Sequence, residues 1–271
     1  MTGDSRGRAS KFAGSTGDLG WSDDNPGGHL TTVLIHSLGT DRGIWSRETA
    51  WLAESGRRVI AVDLPGHGQS SAQEPPYTID GLGGDVAALL EETVGPGSFE
   101  VMGISLGGLI AQWLAVELGD RVSALVAANT AARLGTAEGW AERIAAVETG
   151  GMAAINETVV PRFFAPDYPT RSPEAFAHHN RVFLGTDPAG YMGCCAALRD
   201  ADLRDKVSAI MTPTLVLAGG ADVATPPALT ESLHQQIRDS HFVVIPEAGH
   251  VSNLDRPAAF ERAVGEFLFG L

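Results

Sequence analysis

The sequence predicts an α/β protein: a mostly parallel central sheet flanked by helices, with an inserted helical lid. Three observations carry that expectation. Short apolar runs alternate with longer amphipathic ones, as parallel βαβ units require. The alternation then lapses from residue 131 to residue 206, where helix signals repeat without a strand. Finally, 271 residues suit one large domain with an insertion, and such a chain buries roughly three quarters of its unfolded surface without disulfide or metal staples.

Residues 1–29 are polar and glycine-rich and are expected to form a loose arm, at most partly ordered. The core is expected over 30–130 and 207–271, with the lid over 131–206. Buried strands are read at 31–36 (TTVLIH), 58–63 (RVIAVD), 99–104 (FEVMGI), 123–130 (SALVAANT), 213–220 (PTLVLAGG) and 241–246 (HFVVIP). Helices are read at 79–94 and 106–119, and again after Arg256, where Pro257 suits a first turn. Within the lid, Ser172-Pro173 and Asp187-Pro188 read as paired helix-start signals.

In open α/β sheets, chemistry collects beyond the C-terminal ends of the strands. The strand at 99–104 delivers Ser105 inside GISLGG; the strand at 213–220 delivers Asp222, and the last strand delivers His250. Serine, acid and histidine in that chain order fit a nucleophile elbow, in which a strained serine sits between strand and helix. Gly103 and Gly107 are then needed because side chains there would strike backbone. The backbone N–H groups of Leu106 and Leu38 are the candidate oxyanion donors. Asp222 is preferred as the acid because the preceding strand ends on Asn129, which has no carboxylate. Of eight histidines, only His250 follows the last strand; His36 and His67 read as loop-shaping residues.

Composition narrows the partners. Lys and Arg total 19 against 33 Asp and Glu, a net charge of −14, which repels phosphate backbones and argues against nucleic acid. The uncharged stretch from 101 to 116 is too short and too broken by glycines for a membrane span. No signal-type apolar segment opens the chain, so a cytoplasmic setting is expected. The adjacent Cys194 and Cys195 offer no metal-ligand spacing and read as packing residues in a reducing compartment. No cofactor or metal is expected, and a homo-oligomer stays open.

Several segments resemble the 3-oxoadipate enol-lactonases of the α/β-hydrolase superfamily: HSLGTDRGIW (36–45), GISLGGLIAQWLA (103–115), NTAARLGTAEGW (129–140), GTDPAGYMGCCAALRDADLR (185–204) and GHVSNLDRP (249–257). The resemblance runs from about residue 30 onward and implies an α/β-hydrolase fold and cofactor-free opening of a carboxylate-bearing lactone. Two departures stand out: His36 in place of the lactonases' usual asparagine, and an arm without the pair of opening strands usual in the family. A substrate carboxylate implies a cation near the pocket. Arg133 is the first candidate, against a lid-to-core salt bridge with Glu138, and Arg162 and Arg181 stand in reserve. Trp140 is expected to line the pocket or to pack the lid. A carboxylesterase or a secondary-metabolite lactonase would share every catalytic residue, whereas a non-catalytic receptor would not need an intact Ser-His-Asp set. A dehalogenase would carry aspartate at position 105.

Overall fold

The computed structural model describes residues 8–271. Eight strands form one sheet: β1 (Arg8–Ala13), β2 (Asp18–Asp24), β3 (Thr31–Ile35), β4 (Arg58–Val62), β5 (Phe99–Ile104), β6 (Val122–Ala128), β7 (Thr214–Gly219) and β8 (His241–Ile245). Their order is β1-β2-β4-β3-β5-β6-β7-β8. From β4 to β8 all neighbours are parallel, while β1 and β2 pair antiparallel with each other and β2 pairs antiparallel with β4. Strands β3, β5 and β7 are buried at every position, as strands covered by helices on both faces must be.

Helices α1 (Ser46–Glu54), α2 (Ile79–Thr93) and α3 (Leu106–Leu118) follow β3, β4 and β5. Thr78 caps α2 by accepting from Gly81 N at 3.0 Å, satisfying an amide that has no partner within the helix. Helix α3 is apolar almost all round and is buried along most of its length, as a helix inside a large core should be. Between β6 and β7 the chain is helical: α4 (Ala137–Gly150), α5 (Ala153–Val159), α6 (Tyr168–Arg171), α7 (Pro173–Leu184) and α8 (Pro188–Asp200). Asp187 caps α8 through Ala189 N at 2.9 Å. Ser172 precedes α7 but makes no side-chain cap bond, so of the two expected start signals only the aspartate works through its side chain. Helices α9 (Pro227–His234), α10 (Ser252–Asp255) and α11 (Pro257–Leu268) complete the chain. Among the described residues, no helix is long and apolar enough to cross a membrane.

The arm departs from expectation. Where the sequence reads as a loose arm lacking opening strands, residues 8–24 form the β1–β2 hairpin that extends the sheet, with Trp21 opposite Val62. Its turn is held by Asp85 of α2, which accepts from Ser15 N at 2.7 Å, Thr16 N at 2.8 Å and Thr16 Oγ1 at 2.6 Å. Backbone pairing and one buried carboxylate order a segment with few apolar side chains to bury.

Candidate active site

β5 runs out at Ile104, and Ser105 turns the chain into α3 with φ 57° and ψ −116°. A positive φ on a residue with a Cβ is strained, and such strain persists only where the surroundings fix it. Here Ser105 N donates to Ala128 O at 3.0 Å, and Thr130 Oγ1 donates to the Ser105 carbonyl at 2.8 Å. The flanking glycines are obligatory. A Cβ at Gly103 would lie 2.1 Å from Gly107 O, and one at Gly107 would lie 2.1 Å from Ile35 O. The elbow packs directly onto the end of β3, next to the loop that carries Leu38.

Leu38 lines the same cavity as Ser105. Leu106 is the first residue of α3, where backbone N–H groups have no acceptor within the helix; its side chain is packed into the core. Two buried histidines hold the Leu38 loop. His67 Nε2 accepts from Gly39 N at 3.0 Å, and its Nδ1 lies 2.9 Å from Pro65 O. His36 Nε2 accepts from Leu64 N at 2.9 Å, and its Nδ1 lies 2.7 Å from Ser37 O. Burial lowers His36 to about 4 and His67 to about 3, so each ring is neutral, with an Nδ1 proton to donate and an Nε2 lone pair to accept.

β7 delivers Asp222, and the loop after β8 delivers His250. His250 Nδ1 is 2.9 Å from Asp222 Oδ2, and Thr225 Oγ1 donates to the same oxygen at 2.6 Å while lying 3.1 Å from His250 Nδ1. Asp222 Oδ1 accepts from the backbone N–H of Ala224 at 2.7 Å and of Thr225 at 2.9 Å. Burial alone would push the carboxyl up. The charge of His250 and the hydrogen bonds from His250 and Thr225 outweigh burial and hold Asp222 below the usual carboxylate range. The His250 loop is in turn fastened to the inserted helices: Asp255 Oδ2 accepts from Gly249 N at 2.6 Å and from Ala165 N at 2.7 Å, and Val251 N donates to Phe163 O at 2.8 Å.

Ser105 and His250 open into one cavity of about 330 Å³, closed on one side by the helices between β6 and β7. Leu134, Trp140, Val159, Phe163 and Tyr191 give it apolar walls, and Arg143 and Arg162 bring positive charge. Trp140 thus both lines the cavity and fastens its wall, donating from Nε1 to Leu134 O at 2.7 Å. The expectation for Arg133 fails. Leu134 takes the inward place beside it, and Arg133 points outward to Asp202 at 3.3 Å, lining a separate depression with Arg204. Arg133 does make a salt bridge, but with Asp202 rather than Glu138, and both partners lie within 131–206, so it does not tie lid to core. Arg162 of the reserve pair does reach the cavity, whereas Arg181 is not among its lining residues. Arg143 and Thr225 were missed. Arg143 follows Trp140 by three places in α4 and so shares its face, with the guanidinium 4.9 Å from the Trp140 ring centre. Thr225 lies three residues beyond Asp222, close enough to bond back to it.

A sheet of this order, a strained serine at the β5–α3 turn and a histidine–aspartate pair at the following strand ends define an α/β hydrolase. The chain belongs to the alpha/beta hydrolase family, whose model matches residues 32–263. Within it, the chain is 38% identical over 232 residues to 3-oxoadipate enol-lactonase 2 of Acinetobacter baylyi, covering 86% of each protein. The crystal structure of the enol-lactonase from Burkholderia xenovorans LB400 superposes with a TM-score of 0.90 at 37% identity, over 96% of this chain and 100% of that one. A pimeloyl-[acyl-carrier protein] methyl ester esterase of Neisseria meningitidis serogroup A is 30% identical over 246 residues, 88% of this chain and 76% of that protein.

Proposed function

We propose that the protein is a serine hydrolase that opens a small carboxylate-bearing lactone, 3-oxoadipate enol-lactone to 3-oxoadipate, through an acyl-enzyme on Ser105. One observation carries the reading: Ser105 and His250 share their cavity with Arg143 and Arg162, in a protein whose net charge of −14 would otherwise repel an anionic substrate. Because Nδ1 of His250 is engaged with Asp222, Nε2 is the nitrogen that takes the proton as Ser105 Oγ attacks the lactone carbonyl. The N–H groups of Leu38 and Leu106 receive the oxyanion. Collapse breaks the ring C–O bond, and His250 returns its proton to the enol product, which stays tethered through the acyl chain and tautomerises to the ketone. Water, deprotonated by His250, then attacks the acyl carbonyl; Ser105 Oγ leaves with a proton, and the diacid is released.

A carboxylesterase reading is favoured by the apolar side of the cavity, where Leu134, Val159 and Phe163 would hold an uncharged acyl chain equally well. Rates of the purified protein on the enol-lactone and on a neutral aryl ester separate the two: faster turnover of the ester sinks the lactonase reading. Ser105→Ala should abolish both rates, by on the order of a millionfold in turnover, and a tenth of the activity surviving would remove Ser105 as nucleophile. A cytoplasmic setting is part of the same reading.

A further inference from the structure

β6 hands over to Asn129, whose side chain takes no part in the steps above. It is fully buried, with its backbone in the left-handed region at φ 47°, a conformation asparagine tolerates better than most residues. Both ends of its amide are engaged. Ser252 Oγ donates to Asn129 Oδ1 at 2.6 Å, which identifies that end as the acceptor and turns the NH₂ group the other way. Asn129 Nδ2 then donates to Asp222 Oδ2 at 2.9 Å and to the Gly249 carbonyl at 3.3 Å. Oδ2 is the oxygen that His250 Nδ1 and Thr225 Oγ1 also use, and Gly249 is the residue before His250. The fit is close: a Cβ on Gly219 would sit 3.0 Å from Asn129 Nδ2 and 2.3 Å from Gly249 O. A carboxylate at 129 would set a second negative charge against Asp222, and one of the two would take up a proton. An amide supplies the donor without the charge.

We propose that Asn129 is a positioning residue: its amide, oriented by Ser252, fixes the Asp222 carboxylate and the Gly249–His250 backbone relative to each other, so that His250 Nδ1 meets Asp222 Oδ2. The inference rests on the proposed role of Asp222 and His250 as orienting acid and base. Asn129 touches no substrate, so its loss acts on turnover rather than on substrate binding.

Two variants test it. Asn129→Leu keeps the number of side-chain heavy atoms and deletes the donor, with added strain at the positive φ that the thermal midpoint reads; Ser252→Ala keeps the amide and frees it to turn. Both are compared with the parent protein in kcat and KM on whichever of the lactone or ester is turned over, in thermal midpoint, and in the low-field proton NMR resonance of His250 Nδ1–H. That resonance reports the bond to Asp222 without requiring turnover. Asn129→Leu should lower kcat roughly 10- to 100-fold with KM unchanged, the scale of a small misplacement of a reacting group. Ser252→Ala should lose less in the same direction, and both should shift or broaden the resonance. An unmoved resonance in the folded variants, or a kcat loss that only tracks loss of folded protein, overturns the proposal. If Asn129→Leu does not fold, Ser252→Ala alone decides on the same two readouts. Ser105→Ala keeps the two readings apart: turnover persisting there removes the nucleophile, while the resonance comparison still judges Asn129.

Discussion

Arg143 and Arg133 carry the same guanidinium, and their surroundings assign them different work. Arg143 lines the cavity beside Ser105 and lies over Trp140; Arg133 is spent on Asp202 at the surface. Arg143→Met should therefore cost the carboxylate-bearing lactone about 1.5 to 3 kcal/mol in kcat/KM, the worth of a hydrogen bond to a charged group, while neutral esters are spared. Arg133→Met should leave both substrates nearly unchanged, since an exposed ion pair contributes little. Equal losses on the two substrates in Arg143→Met would make that residue structural. The serine, aspartate and histidine were legible because each sits at a strand end, and strand ends can be counted in the sequence. Which of residues 133 and 134 faces inward depends on how the chain leaves β6, and neighbouring residue types do not encode that. Arg143 was legible in principle, through its helical spacing from Trp140.

Among the elements, the β1–β2 hairpin was hardest to read. RASKFA offers only Phe12 as a large apolar residue, and β2 fully buries only Leu19 and Gly20, so the strand alternation is faint against a polar, glycine-rich background. By contrast β3, β5 and β7 are short, mostly apolar runs, interrupted only by threonines at the start of β3 and β7 and by Glu100 in β5, because helices cover both their faces. Pairing of β2 with β4 joins the hairpin to the sheet, and at its turn Asp85 takes three donors from Ser15 and Thr16. Asp85→Ala leaves those donors without their acceptor and should cost about 1 to 3 kcal/mol. The loss should be local: hydrogen exchange of amides in 8–24 should quicken while those of β5 and β6 keep their protection. Exchange that quickens equally in both places would mean that the hairpin and the core unfold as one unit.

Across the whole molecule, buried histidines and buried acids set how stability responds to pH, and they pull in opposite directions. Burial lowers His36 and His179 to about 4 and His67 to about 3; an unfolded histidine takes up its proton near 6.5. Between those values the unfolded chain binds more protons than the folded one. The histidine contribution is thus complete above about 6.5 and drains away as pH falls toward 3 to 4. Glu48 runs the other way. Burial raises it to about 7, so its contribution is complete below about 4.5 and lost as pH rises through 7. Three histidines oppose Glu48 and Asp63, the latter also raised by burial, between about 4.5 and 6.5, giving a net rise with pH; below about 4.5 the glutamic acid falls silent and the slope steepens. Asp222, held below the usual carboxylate range, adds to the loss at the acid end. Chemical denaturation at a series of pH values should therefore show maximal stability near pH 6.5 and a loss of several kcal/mol by pH 4. His67→Gln should start lower, having lost its bonds to Gly39 and Pro65, and should lose less on acidification. An acid slope unchanged in His67→Gln would move the titrating group elsewhere.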